Sequence, residues 1–195
     1  SVTLGMSAGS LDMGGVAKGY AVDRAIAVLK ARGVKNALVN LGGEIGVLGA
    51  GSNGRSWRIG VQHPRNTSMH IGVIELTDGN FVATSGDYER YFFENGRRYH
   101  HILDPDTGYP AARGAVSVTV ITTSCLEADA LATAAFVMGA ESGSDFLESS
   151  GAMGLILCST AAGPEKDPAV ADISYKATES FLRLMTPDLE GLPLP

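Results

Sequence analysis

The sequence has 195 residues, of which 45% are apolar and 18% charged, and its formal net charge is −6. This is the composition of a domain with a sizeable core and excludes disorder driven by excess charge. No basic run is present to follow a nucleic-acid backbone, so nucleic acid is not an expected partner. No apolar stretch reaches the roughly eighteen residues that a membrane-spanning helix needs. Cys125 and Cys158 match no zinc spacing and read as two buried thiols rather than a disulfide. No signal peptide is visible, and the chain opens on Ser1-Val2-Thr3-Leu4 without an initiator methionine. It is therefore expected to be a processed product or part of a longer protein.

In chain order, residues 1–11 predict a short strand with a Ser/Gly turn at Ser7–Ser10. A glycine-rich segment from Asp12 then opens a helix running to about Arg32. Val22, Ile26 and Leu29 fall at helical spacing, and Gly33 supplies the stop. Strands are predicted at Ala37–Leu41, Ile45–Leu48, Trp57–Val61, Ile71–Leu76 and Phe81–Thr84, with Asp78-Gly79 as a hairpin signal between the last two. Further strands are predicted at Arg98–Leu103 and Val116–Ile121, the latter with clean alternation. Helices follow from Leu126 to about Met138, ended by Gly139, and over Ser142–Ser149. Ala152–Leu157 reads as a buried strand, 159–168 as a loop and 172–185 as one or two edge strands. The whole is one α+β domain over 1–186, mostly antiparallel sheet with packed helices, followed by an extended tail at 187–195.

Five segments carry candidate chemistry. Asp12-Met13-Gly14-Gly15-Val16-Ala17-Lys18 places glycines and a cation at a helix N-terminus, which suits phosphate, although a tight turn capped by Asp12 reads equally well. Asp129 and Thr133 lie four apart on one helix face and offer hard oxygen ligands for Mg²⁺ or Ca²⁺. Taken alone, they read more simply as a helix-start charge and a hydroxyl bonded to its own backbone. His100 and His101 point to opposite faces of a strand, so one of them can serve a site as general base. Thr84-Ser85-Gly86-Asp87 is a polar turn, and Asn40-Leu41-Gly42-Gly43-Glu44 a glycine-rich strand exit.

Together the segments LDMGGVAKGYAVD (11–23), NLGGE (40–44), ATSGDYERYF (83–92), YHHILDPDTGYP (99–110), SVTVI (117–121) and ADALAT (128–133) resemble the ApbE family of FAD:protein FMN transferases, formerly called thiamine biosynthesis lipoproteins. The resemblance covers about residues 10–160 and implies an ApbE-like fold lacking its N-terminal part. It also implies Mg²⁺-dependent transfer of FMN from FAD to a Thr or Ser of a target flavoprotein, with release of AMP. Ca²⁺ or Mn²⁺ are alternative metals. By position, Asp12, Lys18, Ser85, Asp87 and Leu103 are expected to bind FAD. Gly15 (through its carbonyl), Asp129 and Thr133 are expected to hold the metal, and His101 to activate the acceptor hydroxyl. Family members carry a comparable stretch of chain before the Asp12 segment, so one wall of the FAD site is expected to be missing here. A periplasmic or envelope location through a lipid anchor absent from this chain follows from the resemblance alone. The alternatives are an FAD diphosphatase that uses water as acceptor and a non-catalytic flavin-binding module.

Overall fold

Residues 5, 9–159 and 173–187 are described by a computed structural model. Eleven strands and four α-helices are present among them. The first helix, α1 (Ala17–Ala31), buries Gly19, Val22 and Ile26 and ends where Gly33 takes a positive φ of 79°. It leads into a hairpin of β1 (Ala37–Leu41) and β2 (Glu44–Leu48). The two-residue turn between them is Gly42-Gly43, and both residues have positive φ (68° and 105°), a geometry only glycine adopts without strain.

β3 (Trp57–His63) and β4 (Asn66–Leu76) pair with each other, and β5 (Phe81–Gly86) returns to pair with β2. A second hairpin, β6 (Tyr91–Glu94) with β7 (Arg97–His100), forms a separate two-stranded ribbon. β8 (Ala115–Thr122), α2 (Cys125–Met138), α3 (Ala140–Ser149) and β9 (Met153–Ser159) follow, then β10 (Ile173–Ala177), α4 (Glu179–Leu184) and β11 (Met185–Pro187).

The main sheet has the order β1-β2-β5-β8-β9-β10, and a smaller one the order β11-β4-β3; every pairing is antiparallel. The small sheet and Phe181 of α4 pack on one face of the main sheet through Ile74, Leu76, Val82, Leu155 and Ile173. α2 and α3 cover the opposite face through Ala128, Ala132, Phe136 and Leu147, and α1 closes its β1–β2 end through Val22, Ile26 and Phe81. The α+β expectation therefore holds, as three layers. Because the main sheet is covered on both sides, β8 is buried along nearly its whole length. Its alternation separates two cores, not core from water, and its polar members are used inside: Thr119 bonds Thr84 at 3.0 Å and Ser117 bonds Tyr88 at 3.3 Å.

Several expectations need correction. Asp78-Gly79 does not close a hairpin: β4 and β5 belong to different sheets, and the turn carries the chain from one to the other. Asp78 instead accepts a hydrogen bond from Gly49 N–H at 2.7 Å. The strand expected over Arg98–Leu103 ends at His100; Leu103 keeps only a single bridge to Pro110. Its partner β6 was missed, although Asn95-Gly96, both at positive φ, is a strong hairpin signal. Within 172–185 one edge strand forms, β10, and Thr178 then caps a short helix by accepting from Phe181 N–H; β11 begins only at Met185. The expected strand at 1–11, its turn and the loop at 159–168 fall largely outside the described residues. Of the expected tail, Pro187 ends β11 and the rest lies outside them.

One contact fixes how α1 and α2 meet. A Cβ placed on Gly19 would lie 2.3 Å from the carbonyl oxygen of Cys125 and 2.8 Å from Cα of Leu126. Asp23, one turn further along α1, caps α2 across the gap: its carboxylate accepts from the backbone N–H groups of Cys125 (2.8 Å) and Leu126 (3.0 Å) and from the Ser124 hydroxyl (2.9 Å). Gly19→Ala is expected to push the helices apart and destabilise the fold by about 1–3 kcal/mol, read as a lowered midpoint in chemical denaturation. Ala17→Gly, at an exposed position on the same helix, is expected to cost less, about 1 kcal/mol.

Candidate active site

The turn before α1 is built by Asp12, whose exposed carboxylate accepts from Gly14 N–H at 2.6 Å. The local capping role considered for Asp12 is therefore occupied. Val16 at the N-cap of α1 gives no side-chain cap, and no acidic residue stands in the first turn. Of the first N–H groups of α1, that of Ala17 is taken by the Met13 carbonyl at 2.8 Å.

Behind this turn stands α2. Asp129, only 3% exposed, accepts a hydrogen bond from Gly19 N–H at 3.0 Å through Oδ2. Gly19 is the third residue of α1, so its N–H has no acceptor within the helix. Oδ1 of Asp129 makes no hydrogen bond among the described residues. One turn on, the Thr133 hydroxyl bonds Ser85 Oγ at 3.0 Å, not its own helix backbone. Gly15 lies against the same threonine: a Cβ there would sit 3.5 Å from Thr133 Cγ2. Gly15, Ser85, Asp129 and Thr133 are therefore brought together from three chain segments: the turn before α1, β5 and α2.

Lys18 leaves α1 on this side and forms an ion pair with Glu44, the first residue of β2. Glu44 is 1% exposed. Burial raises its carboxyl above the ordinary range, Lys18 draws it back down, and the nearby Asp129 charge raises it further. In the sequence Glu44 only closes the NLGGE segment, with no role of its own. Nothing in the local pattern announces that a carboxylate at a strand start is fully buried.

A cleft of about 590 Å³ opens at Gly15 and Thr133, lined also by Val16, Leu103, Arg113 and Val137, among others; Lys18, Ser85, Asp129 and His101 are not in its lining. Its wall from the 101–113 segment is stiffened by Asp104, which accepts from Asp106 N–H at 2.9 Å through its side chain and from Gly108 N–H at 2.8 Å through its carbonyl. That turn presents Leu103, 52% exposed, to the cleft.

The two histidines divide as alternation requires. His100 turns inward, with Nε2 3.1 Å from the Ala111 carbonyl and its ring edge-on to Phe136. His101 is exposed, its backbone N–H bonded to the Arg90 carbonyl at 3.1 Å. Partial burial lowers the His101 pKa below 6.5, and the Arg90 and Lys18 charges lower it further. The ring is thus neutral, and able to accept a proton, at neutral pH.

Asp87 is placed differently. Both its oxygens accept from the Arg65 guanidinium, at 2.7 and 2.6 Å, and it is 6% exposed. The bidentate pair ties the end of β5 to the β3–β4 turn, so Asp87 is occupied structurally. Arg65 carried no signal in the sequence.

The sequence model of the ApbE family matches residues 4–157. The chain belongs to the ApbE family. It is 42% identical over 133 residues to the FAD:protein FMN transferase of Vibrio cholerae, covering 68% of this chain and 40% of that protein. It is 43% identical over 144 residues to the enzyme of the same name from Klebsiella pneumoniae, covering 73% and 43%. Its fold matches the crystal structure of the ApbE protein of Thermotoga maritima with a TM-score of 0.76 at 41% identity, over 89% of this chain and 53% of that one. The apo flavinyl transferase ApbE of Pseudomonas stutzeri matches with a TM-score of 0.72 at 38% identity, over 89% and 51%. The chain thus spans about two fifths of these curated relatives and about half of these solved chains.

Both cysteines of this ApbE-family chain are free and buried. Burial pushes the Cys125 thiol up to about 12 and the Cys158 thiol up to about 11. Neither is expected to react with iodoacetamide at pH 8 until the chain unfolds; rapid labelling of the native protein would contradict this burial.

Proposed function

We propose that this chain carries the catalytic side of a metal-dependent FAD:protein FMN transferase. The observation that carries the reading is the convergence of Gly15, Leu103 and Thr133 on one cleft, with Lys18 and Asp129 on the elements behind it. The names of the relatives point to the same substrate pair, FAD and a protein.

In this reading the acceptor is a Thr or Ser hydroxyl of a target flavoprotein. Its oxygen forms a bond to the FMN-side phosphorus of FAD, and the bridging P–O bond breaks so that AMP leaves. His101, neutral at the working pH, takes the hydroxyl proton, because an alcohol is a poor nucleophile until it loses one. Lys18 binds the diphosphate, and the dipole of α1 adds attraction. Leu103 offers apolar surface to the flavin, and Ser85 holds the Thr133 hydroxyl in place.

The donors present fit a divalent cation. Asp129 and Thr133 supply hard oxygens, the Gly15 segment adds a carbonyl, and Asp129 Oδ1 is not already bonded. Mg²⁺ held by these residues would supply charge neutralisation at the diphosphate.

The test is to incubate the protein with FAD, MgCl₂ and a flavinylation-target domain, then measure AMP and the mass of the target. AMP together with target mass increased by FMN is expected. AMP without a labelled target would favour the diphosphatase, and FAD binding without AMP the binding module. His101→Ala is expected to slow transfer by at least about 100-fold. Asp129→Ala is expected to abolish the response to added Mg²⁺. As pH falls, activity should be lost through a midpoint below 6.5, since protonation removes the base. A midpoint above 6.5, or an acid limb that survives His101→Ala, would rule His101 out as that base.

A further inference from the structure

Glu44 stands outside the roles given so far, and its surroundings are unusual. One carboxylate oxygen pairs with Lys18, whereas Oε2 is buried with no hydrogen-bond partner among the described residues. A buried carboxylate with a single partner is a poor stabilising device, because desolvation can exceed what one ion pair returns. The Asp129 charge nearby adds to its cost. Fold stability therefore gives little reason for a carboxylate at this position. Its placement relative to Lys18 gives a better one. Lys18 sits on the first turn of α1, 42% exposed on its side chain, and its stem passes the Gly42-Gly43 turn, with Cδ 4.0 Å from where a Gly42 Cβ would lie. The hairpin that carries Glu44 thus also lies against the lysine stem. A flexible four-carbon stem samples many rotamers when its ammonium is free, and an anchored one is already ordered when ligand arrives.

We propose that Glu44 is a positioning residue that holds the Lys18 ammonium in place for the diphosphate of FAD; this rests on the functional reading above. Glu44 itself is too buried to touch the substrate, so its effect passes entirely through Lys18.

The test combines substrate binding with a direct view of the lysine. In the 195-residue chain with Mg²⁺, Glu44→Gln is expected to weaken FAD binding about tenfold, the scale of one charge-assisted contact, with its melting temperature unchanged or raised. In a Lys18→Ala background the same substitution is expected to weaken binding no further. The Lys18 side-chain ¹⁵N resonance, measured without FAD, is expected to shift in Glu44→Gln. Additive losses in the double variant, or an unshifted Lys18 resonance, would overturn the proposal. Failure of the unsubstituted chain to bind FAD would count against the functional reading, and the Lys18 resonance would then decide the Glu44–Lys18 pairing by itself.

Discussion

The site depends on how closely α1 can approach α2. At Gly19 the two backbones come within contact distance, and the Gly19 N–H lies 3.0 Å from the Asp129 carboxylate. A helix leaves its first N–H groups without internal acceptors. Here one of them is satisfied by a residue 110 positions away. That single bond, to an ionised acceptor, is worth about 1.5–3 kcal/mol and sets the depth of α1 against the rest of the fold. Gly15 reaches Thr133, and Lys18 reaches Glu44, only because α1 is held at that depth. Asp23 secures the same junction from the other side by capping α2, so the two helices share their termini as a unit.

The electrostatics follow from this packing. Two carboxylates, Glu44 and Asp129, are buried near each other with the Lys18 ammonium as the neighbouring cation. In the proposed reading, a divalent cation held by Asp129 accompanies the anionic diphosphate there. The fixed charges also act on His101, where Arg90 and Lys18 reinforce partial burial in favouring the neutral ring.

Features confined to one element were legible in the sequence. Gly33 and Gly139 marked helix ends, alternation separated His100 from His101, and spacing put Asp129 and Thr133 on one face. What failed was information about which elements meet. Asp78-Gly79 has the chemistry of a hairpin turn, but the sequence does not say that the strands on either side enter different sheets. Asp87 reads as part of a polar turn in the sequence, which carries no trace of the Arg65 guanidinium that holds both its oxygens. Glu44 and Asp23 are polar residues whose roles exist only across a tertiary contact, and local pattern carries no trace of it. The roles assigned to the site residues came from resemblance to a family; the local chemistry of Asp12 and Asp129 alone was equally or better explained by capping.

The most direct test of this account is amide hydrogen exchange at Gly19 in the folded protein. An N–H in the first turn of a helix ordinarily exchanges fast. Strong protection at Gly19, lost in Asp129→Ala while residues in the middle of α1 stay protected, is the predicted result. Exchange at Gly19 as fast as in an exposed loop would mean that the α1–α2 junction does not hold the site together.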